Sequence, residues 1–147
     1  MMLKINGTQE FLGKTIKVVE GGFGEDSRVM TDLTIAEIHD VKIIHVRELI
    51  TKNRNRFKDD IDIVDLKVIG EVDNNLLENL GYSKMQISKS NSIFILSERG
   101  YGKLIKIMDS DKAWDIYDSL LDNYFTLRRQ VKDLISDKDK AILSIVN

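Results

Sequence analysis

Hydrophobic residues recur along this chain in two rhythms, one for strands and one for helices. Ile93, Phe94, Ile95 and Leu96 form a short unbroken apolar run of strand formers, which predicts a buried strand. Ser97 follows with an oxygen suited to capping a helix. Tyr101, Leu104, Ile105 and Met108 then recur at the spacing of one helical face. Asp109, Ser110 and Asp111 interrupt that helix and can cap another. The second helix carries Ala113, Ile116, Tyr117, Leu120, Leu121 and Tyr124 on one stripe, which Trp114 and Phe125 widen. Asp111, Asp115, Asp118 and Asp122 make its opposite face acidic. A strand feeding two amphipathic helices forms a core, so a buried helix is expected over Ala113 to Tyr124. Loss of the Trp114 ring should then cost roughly 3–5 kcal/mol.

Upstream, residues 1–13 show weak periodicity and read as a frayed lead-in. Thr15 to Glu20 alternates as a strand, Gly21 to Gly24 turns the chain, and Ser27 to Thr31 returns as the second half of a hairpin. The glycine cluster is a poor phosphate loop, because Glu25 and Asp26 repel phosphate and a strand follows where a helix is needed. Ile61 to Val68 alternates acidic and apolar residues and predicts a strand with one wet face. Gly70 to Asn75 reads as a turn, Leu76 to Leu80 as a short helix ended by Gly81, and Tyr82 to Ser92 as a polar helix or loop. Past Gln130, Ser136 and Asp139 resemble a capping box opening a further helix, whose pattern continues to Asn147. The organisation expected is a lead-in over 1–13, one domain over 14–130, and a linker with the start of another helix over 131–147. The chain then reads as part of a longer protein.

Between Thr31 and Thr51 the spacing is more telling. Thr31 can cap a helix with Ile35 and Ile38 inward, and Ile43 to Thr51 supports a second with Val46, Leu49 and Ile50 inward. Ala36, Asp40 four residues on and Val46 six further match helix-turn-helix packing. A small residue lets the helices approach, the turn takes a left-handed backbone, and an apolar residue plugs the gap. Asp tolerates that backbone, as Gly does. An ordinary helical corner is the competing reading.

Charge adds to this picture. The whole chain carries a net charge of only −2, against indiscriminate coating of nucleic acid. From Lys42 to Lys58, however, six Lys/Arg stand against the single Glu48. Arg47, Lys52, Asn53, Arg54, Asn55, Arg56 and Lys58 are therefore the candidate DNA-binding residues, with Arg47 and Asn53 suited to reading base edges. Phe57 among them is expected in the core. A solvated basic face is the alternative.

With 147 residues, 42% hydrophobic and 31% charged, the chain suits one compact domain. The absence of cysteine excludes disulfides and thiolate metal sites. No apolar N-terminal run marks a signal peptide or membrane span, so a cytoplasmic location with no membrane partner is expected. His39 and His45 are six apart, unsuited to common metal-ligand spacings, and no nucleophile elbow is present. Neither an enzyme, a metal nor a cofactor is expected.

Three separated segments, RVMTDLTIAEIHDVKIIHV, NRNRFKDDIDIVDL and FILSERGYGKLIKIMDSDKAWDIYDSLLDNYF, together resemble the N-terminal domain of phage antirepressors, relatives of the KilA-N and Bro-N domains. The resemblance covers about Lys14 to Gln130. It departs at the turn, where Asp40 stands in place of the Gly of some relatives, and at Ile43–Ile44, more apolar than a free recognition helix needs. It implies an α+β DNA-binding or regulatory domain acting in phage or prophage lysis–lysogeny control within a bacterial host. Many relatives carry a further C-terminal domain.

The expected fold class is thus α+β: a small mixed domain with a short β-hairpin or sheet, a helix-turn-helix-like pair and a C-terminal amphipathic helix. Duplex DNA is the first expected partner. The alternative is an interaction domain that sequesters a phage repressor without binding DNA. The aromatic stripe of Trp114, Tyr117, Tyr124 and Phe125 exceeds what one neighbour covers, and predicts a protein interface and a homo-oligomer.

Overall fold

The computed structural model describes residues 3–11, 13–24, 27–70 and 72–146, except for the side chains of residues 124 and 136–146. The chain divides into two compact units, 1–108 and 109–147. The first is an α+β unit around a five-stranded antiparallel sheet. Its strands are β1 (Lys4–Phe11), β2 (Lys14–Glu20), β3 (Arg28–Thr31), β4 (Ile63–Asp65) and β5 (Phe94–Ser97), in the order β1-β2-β3-β5-β4. The expected hairpin is β2 with β3. The expected buried strand is β5, where Ile95 and Leu96 have no exposed surface and both faces are covered. That double burial explains the unbroken apolar run.

The lead-in expected over residues 1–13 is instead largely strand. β1 pairs with β2 from Lys4 opposite Glu20 to Phe11 opposite Lys14, with an irregularity between Ile5 and Thr8. Gly7 sits there with φ of 77°, a left-handed backbone that favours glycine. β1 is exposed along nearly its whole length, so it carries no alternation to reveal it. β4 is shorter than the expected Ile61–Val68 strand. Asp65 ends it by accepting the amides of Lys67 (3.0 Å) and Ile93 (3.2 Å), and so starts a helical turn.

Six α-helices among the described residues complete this unit: α1 (Asp32–His39), α2 (Ile43–Lys52), α3 (Leu66–Ile69), α4 (Asn74–Asn79), α5 (Lys84–Lys89) and α6 (Glu98–Met108). One sheet face buries Val19, Val29, Val64, Ile93 and Ile95 with Leu77 and Leu80 near α4 and Ile87 of α5. Local chemistry sets the helix starts. Thr31 Oγ1 accepts the Thr34 amide at 3.1 Å, and Ser83 with Gln86 forms a capping box on α5. Ser97 Oγ accepts the Gly100 amide at 3.1 Å while donating to the Ile61 carbonyl at 2.7 Å.

The second unit is the helix α7 (Asp111–Val146), which runs through the break expected after Gln130. The proposed capping pair Ser136 and Asp139 lies outside the described side chains. Ala113 and Ile116 are buried, but Trp114 is 56% exposed, which overturns its expected place in a core. Among the described residues no helix is long and apolar enough to cross a membrane.

Candidate nucleic-acid interface

The α1–α2 pair has the packing its spacing predicts. Ala36 is buried, Val46 has no exposed surface, and Asp40 between them adopts φ 53° and ψ 42°. The Lys14 ammonium donates to the Glu37 carbonyl and the Asp40 carboxylate, placing a cation at the negative end of the α1 dipole. His39 closes α1 against α6 through a 2.8 Å hydrogen bond between its Nε2 and the Tyr101 hydroxyl. Burial pushes the Tyr101 hydroxyl above its ordinary value, so it keeps its proton. On the outer face of α2, Lys42, His45, Glu48 and Lys52 are exposed.

Beneath this pair lies a polar node that sequence reasoning missed. Asp32, in the first turn of α1, has no exposed surface. Its Oδ2 accepts from Arg47 Nε at 2.8 Å and from the Phe94 amide at 3.0 Å, and its Oδ1 accepts from the Tyr82 hydroxyl. Arg47 Nη1 also donates to Ser90 Oγ at 2.8 Å. One carboxylate thus ties α1 to α2, to β5 and to the segment before α5. Burial, then the adjoining Asp32 carboxylate, raise the Tyr82 hydroxyl well above its ordinary value and keep it a donor. The side chain of Arg47, expected to read bases, is 13% exposed, and its guanidinium is spent largely inside the fold.

The other basic residues divide in two groups. Asn53 caps α2, its Nδ2 donating to the Leu49 carbonyl at 2.9 Å. Arg54 turns back to the Phe57 carbonyl and pairs with Asp59. Lys52, Asn55, Arg56 and Lys58 are exposed, while Phe57 between them is buried as expected.

A second buried carboxylate organises this basic segment. Asp62 has no exposed surface and accepts the Lys58 amide at 2.9 Å. Lys103 pairs with its Oδ2, and Arg99 Nε stands 3.4 Å from its Oδ1. Lys103 also donates to the Arg56 carbonyl at 2.6 Å. Burial alone would push the Asp62 carboxyl up, but the bonds from Lys103 and the Lys58 amide and the charges of Lys103 and Arg99 outweigh it. The carboxyl is held below its ordinary value and stays ionised. The backbone of Arg56 and Lys58 is therefore tied to Lys103 of α6 and to the Asp62 carboxylate, while Asp59 and Asp60 of the same loop are exposed beside them. Asp62 itself was read as part of a wet strand face.

The expected interface residues lie on α7. Trp114, Tyr117 and Phe125 are exposed, with the Trp114 and Tyr117 rings edge-to-face at 6.0 Å. The side chain of Tyr124 lies outside those described.

No curated protein and no solved structure matches this chain. The model of the ORF6N domain matches residues 23–107, which hold β3 to β5, the α1–α2 pair and nearly all of α6. That match spans more than half of the chain. The chain therefore belongs to the ORF6N domain family, phage-associated regulatory domains of the Bro-N and antirepressor type.

Proposed function

We propose that this chain is the DNA-binding regulatory domain of a phage or prophage antirepressor acting in lysis–lysogeny control. The observation that carries this reading is the exposure of Lys52, Asn55, Arg56 and Lys58 at the end of α2 and on a loop whose backbone Asp62 and Lys103 hold. Phosphates of a duplex are the natural partner of such a surface, and Lys52 extends it along α2. Asn55 supplies a polar group able to reach a base edge. Arg47 acts as a positioning residue, fixing α2 on α1 through Asp32. Arg54 and Asn53 shape the loop that carries the exposed cations.

Titration of the chain with duplex DNA from its phage's control region, across a salt series, tests this. Each neutralised phosphate releases condensed counterion, so affinity should fall steeply with salt. The side chains of Arg56 and Lys58 can be removed without losing the bonds their backbones make. Arg56→Ala and Lys58→Ala should each flatten the salt slope by about one unit. Should both variants keep their DNA affinity yet lose capture of the phage repressor, the DNA reading fails and repressor sequestration replaces it.

A further inference from the structure

The outward face of α2 carries side chains that the DNA contacts proposed above leave unused. Val46 and Ile50 bury one side of this helix, and Arg47 and Asn53, the residues expected to read bases, are engaged within the fold. Ile44, in the first turn, is 51% exposed and adds little to that packing. Glu48 is exposed four residues on, which puts it on the same helical face as Ile44. Among the described residues Glu48 forms no ion pair, although Lys52 stands one turn further along. Lys42 and Lys52 are exposed at the two ends of this face. Ten residues of helix rise about 15 Å, against about 12 Å for the width of a major groove, so the two ammonium groups can reach its opposite phosphate walls.

We infer that Ile44 and Glu48 are the base-reading residues of α2, and that the duplex this chain selects carries a thymine and a cytosine about two base-pair steps apart. This rests on the DNA reading proposed above. Ala36 and Val46, packed about the left-handed turn at Asp40, hold α2 on α1 with this face outward, as in a helix that enters the major groove. The floor of that groove offers one apolar group, the thymine C5-methyl, and Ile44 supplies the apolar surface that meets it. Glu48 belongs at a base edge and not at the backbone, because its carboxylate repels phosphates. The N4 amine of cytosine donates to a carboxylate. The N6 amine of adenine stands beside the N7 acceptor, which would face a carboxylate oxygen lone pair to lone pair. Four residues of helix rise about 6 Å, close to two base-pair steps of about 3.4 Å each.

Enrichment of a randomised duplex pool on the full chain, followed by titration of the enriched site at one salt concentration, tests this. The wild-type site should hold a thymine and a cytosine at fixed spacing. Replacing that thymine with deoxyuridine removes only the methyl group. Wild-type binding should weaken about fourfold, as for one buried methyl, and Ile44→Ala should bind both duplexes equally. Glu48→Gln should move the preferred base at one position from cytosine to adenine, whose N6 and N7 a glutamine engages together. Both side chains are exposed, so circular dichroism and thermal unfolding of the variants should match the wild type. If both variants enrich the same site as the wild type, this inference is overturned while the salt-dependent affinity of the DNA reading stands. Loss of repressor capture by Ile44→Ala, with base preference unchanged, overturns it in favour of a protein contact. A wild-type chain that binds no duplex at any salt overturns both readings.

Discussion

A Cβ on Gly100 would stand 2.0 Å from the carbonyl oxygen of Asp62 and 2.9 Å from its carbonyl carbon. The first turn of α6 and the loop before β4 therefore meet backbone to backbone, with room for hydrogen alone. The Asp62 carbonyl also accepts the Ser97 amide at 3.1 Å, so it has little freedom to retreat. Gly100→Ala should destabilise the first unit by about 3 kcal/mol or more, at the upper end of overpacking costs. Gly102, on the same helix with nothing within 4 Å of its virtual Cβ, is the control. Gly102→Ala should stabilise by up to about 1 kcal/mol through helix propensity. Denaturant unfolding of both variants reads the difference, and equal effects would mean that the close approach is not maintained in solution.

The Asp62 carboxyl has an ordinary value of 3.8 and a lower one in the fold. A group depressed on folding contributes stability that is present above its unfolded value and lost as pH falls through its folded value. Asp62→Asn should therefore cost about 3 kcal/mol at neutral pH, since it leaves the Lys103 ammonium without its counter-charge. It should also flatten the fall in stability below about pH 4, where the wild type gives up this contribution. Urea unfolding between neutral pH and pH 2 compares the two slopes. Parallel curves would remove Asp62 from the acid transition.

The Asp32 node gives a graded series. Tyr82→Phe deletes one donor to a carboxylate that keeps Arg47 and the Phe94 amide, and should cost roughly 1.5–3 kcal/mol. Asp32→Ala strands the partly buried Arg47 guanidinium and two further donors, and should cost about 3–5 kcal/mol. In a Tyr82→Phe and Asp32→Ala double mutant the costs should fall short of additive, because the two groups share one network. Full additivity would mean that Tyr82 draws its stabilisation elsewhere.

Trp114 is the chain's single tryptophan, so its fluorescence reports α7 alone. With 56% of the residue exposed, dilute protein should show red-shifted emission open to acrylamide quenching. At that dilution Trp114→Ala should change stability by less than about 1 kcal/mol, as surface substitutions do. Emission that is blue-shifted and unquenched at every concentration would return Trp114 to a core.

Elements that bury one stripe or a whole run were legible in the residues. β5, α6 and the α1–α2 corner with Ala36, Asp40 and Val46 all follow from apolar spacing and capping chemistry. β1 was not legible, because a strand wet on both sides has no period to read. The bounds of α7 were misread because Ser136 and Asp139 looked like a start although they lie inside a continuing helix. For the candidate site, composition showed the cations of 52–58 but not which of them are engaged within the fold. Arg47 turns inward because Asp32, distant in sequence and equally plausible as a surface group, is buried beside it. Arg99 and Lys103 meet this segment through Asp62 and the Arg56 carbonyl, long-range relations that no local pattern encodes.

The order of strands in the sheet has a consequence for how the protein is made. β5 lies between β3 and β4, yet its residues 94–97 come after both along the chain. Until they leave the ribosome, Val29 to Thr31 and Ile63 to Asp65 have no neighbour to pair with on that side. The nascent chain therefore carries the open edge of β3 from residue 31, and that of β4 from residue 65, until residue 97 has emerged, and the sheet closes late. Premature termination anywhere before residue 97 should yield aggregation-prone fragments rather than a smaller folded domain.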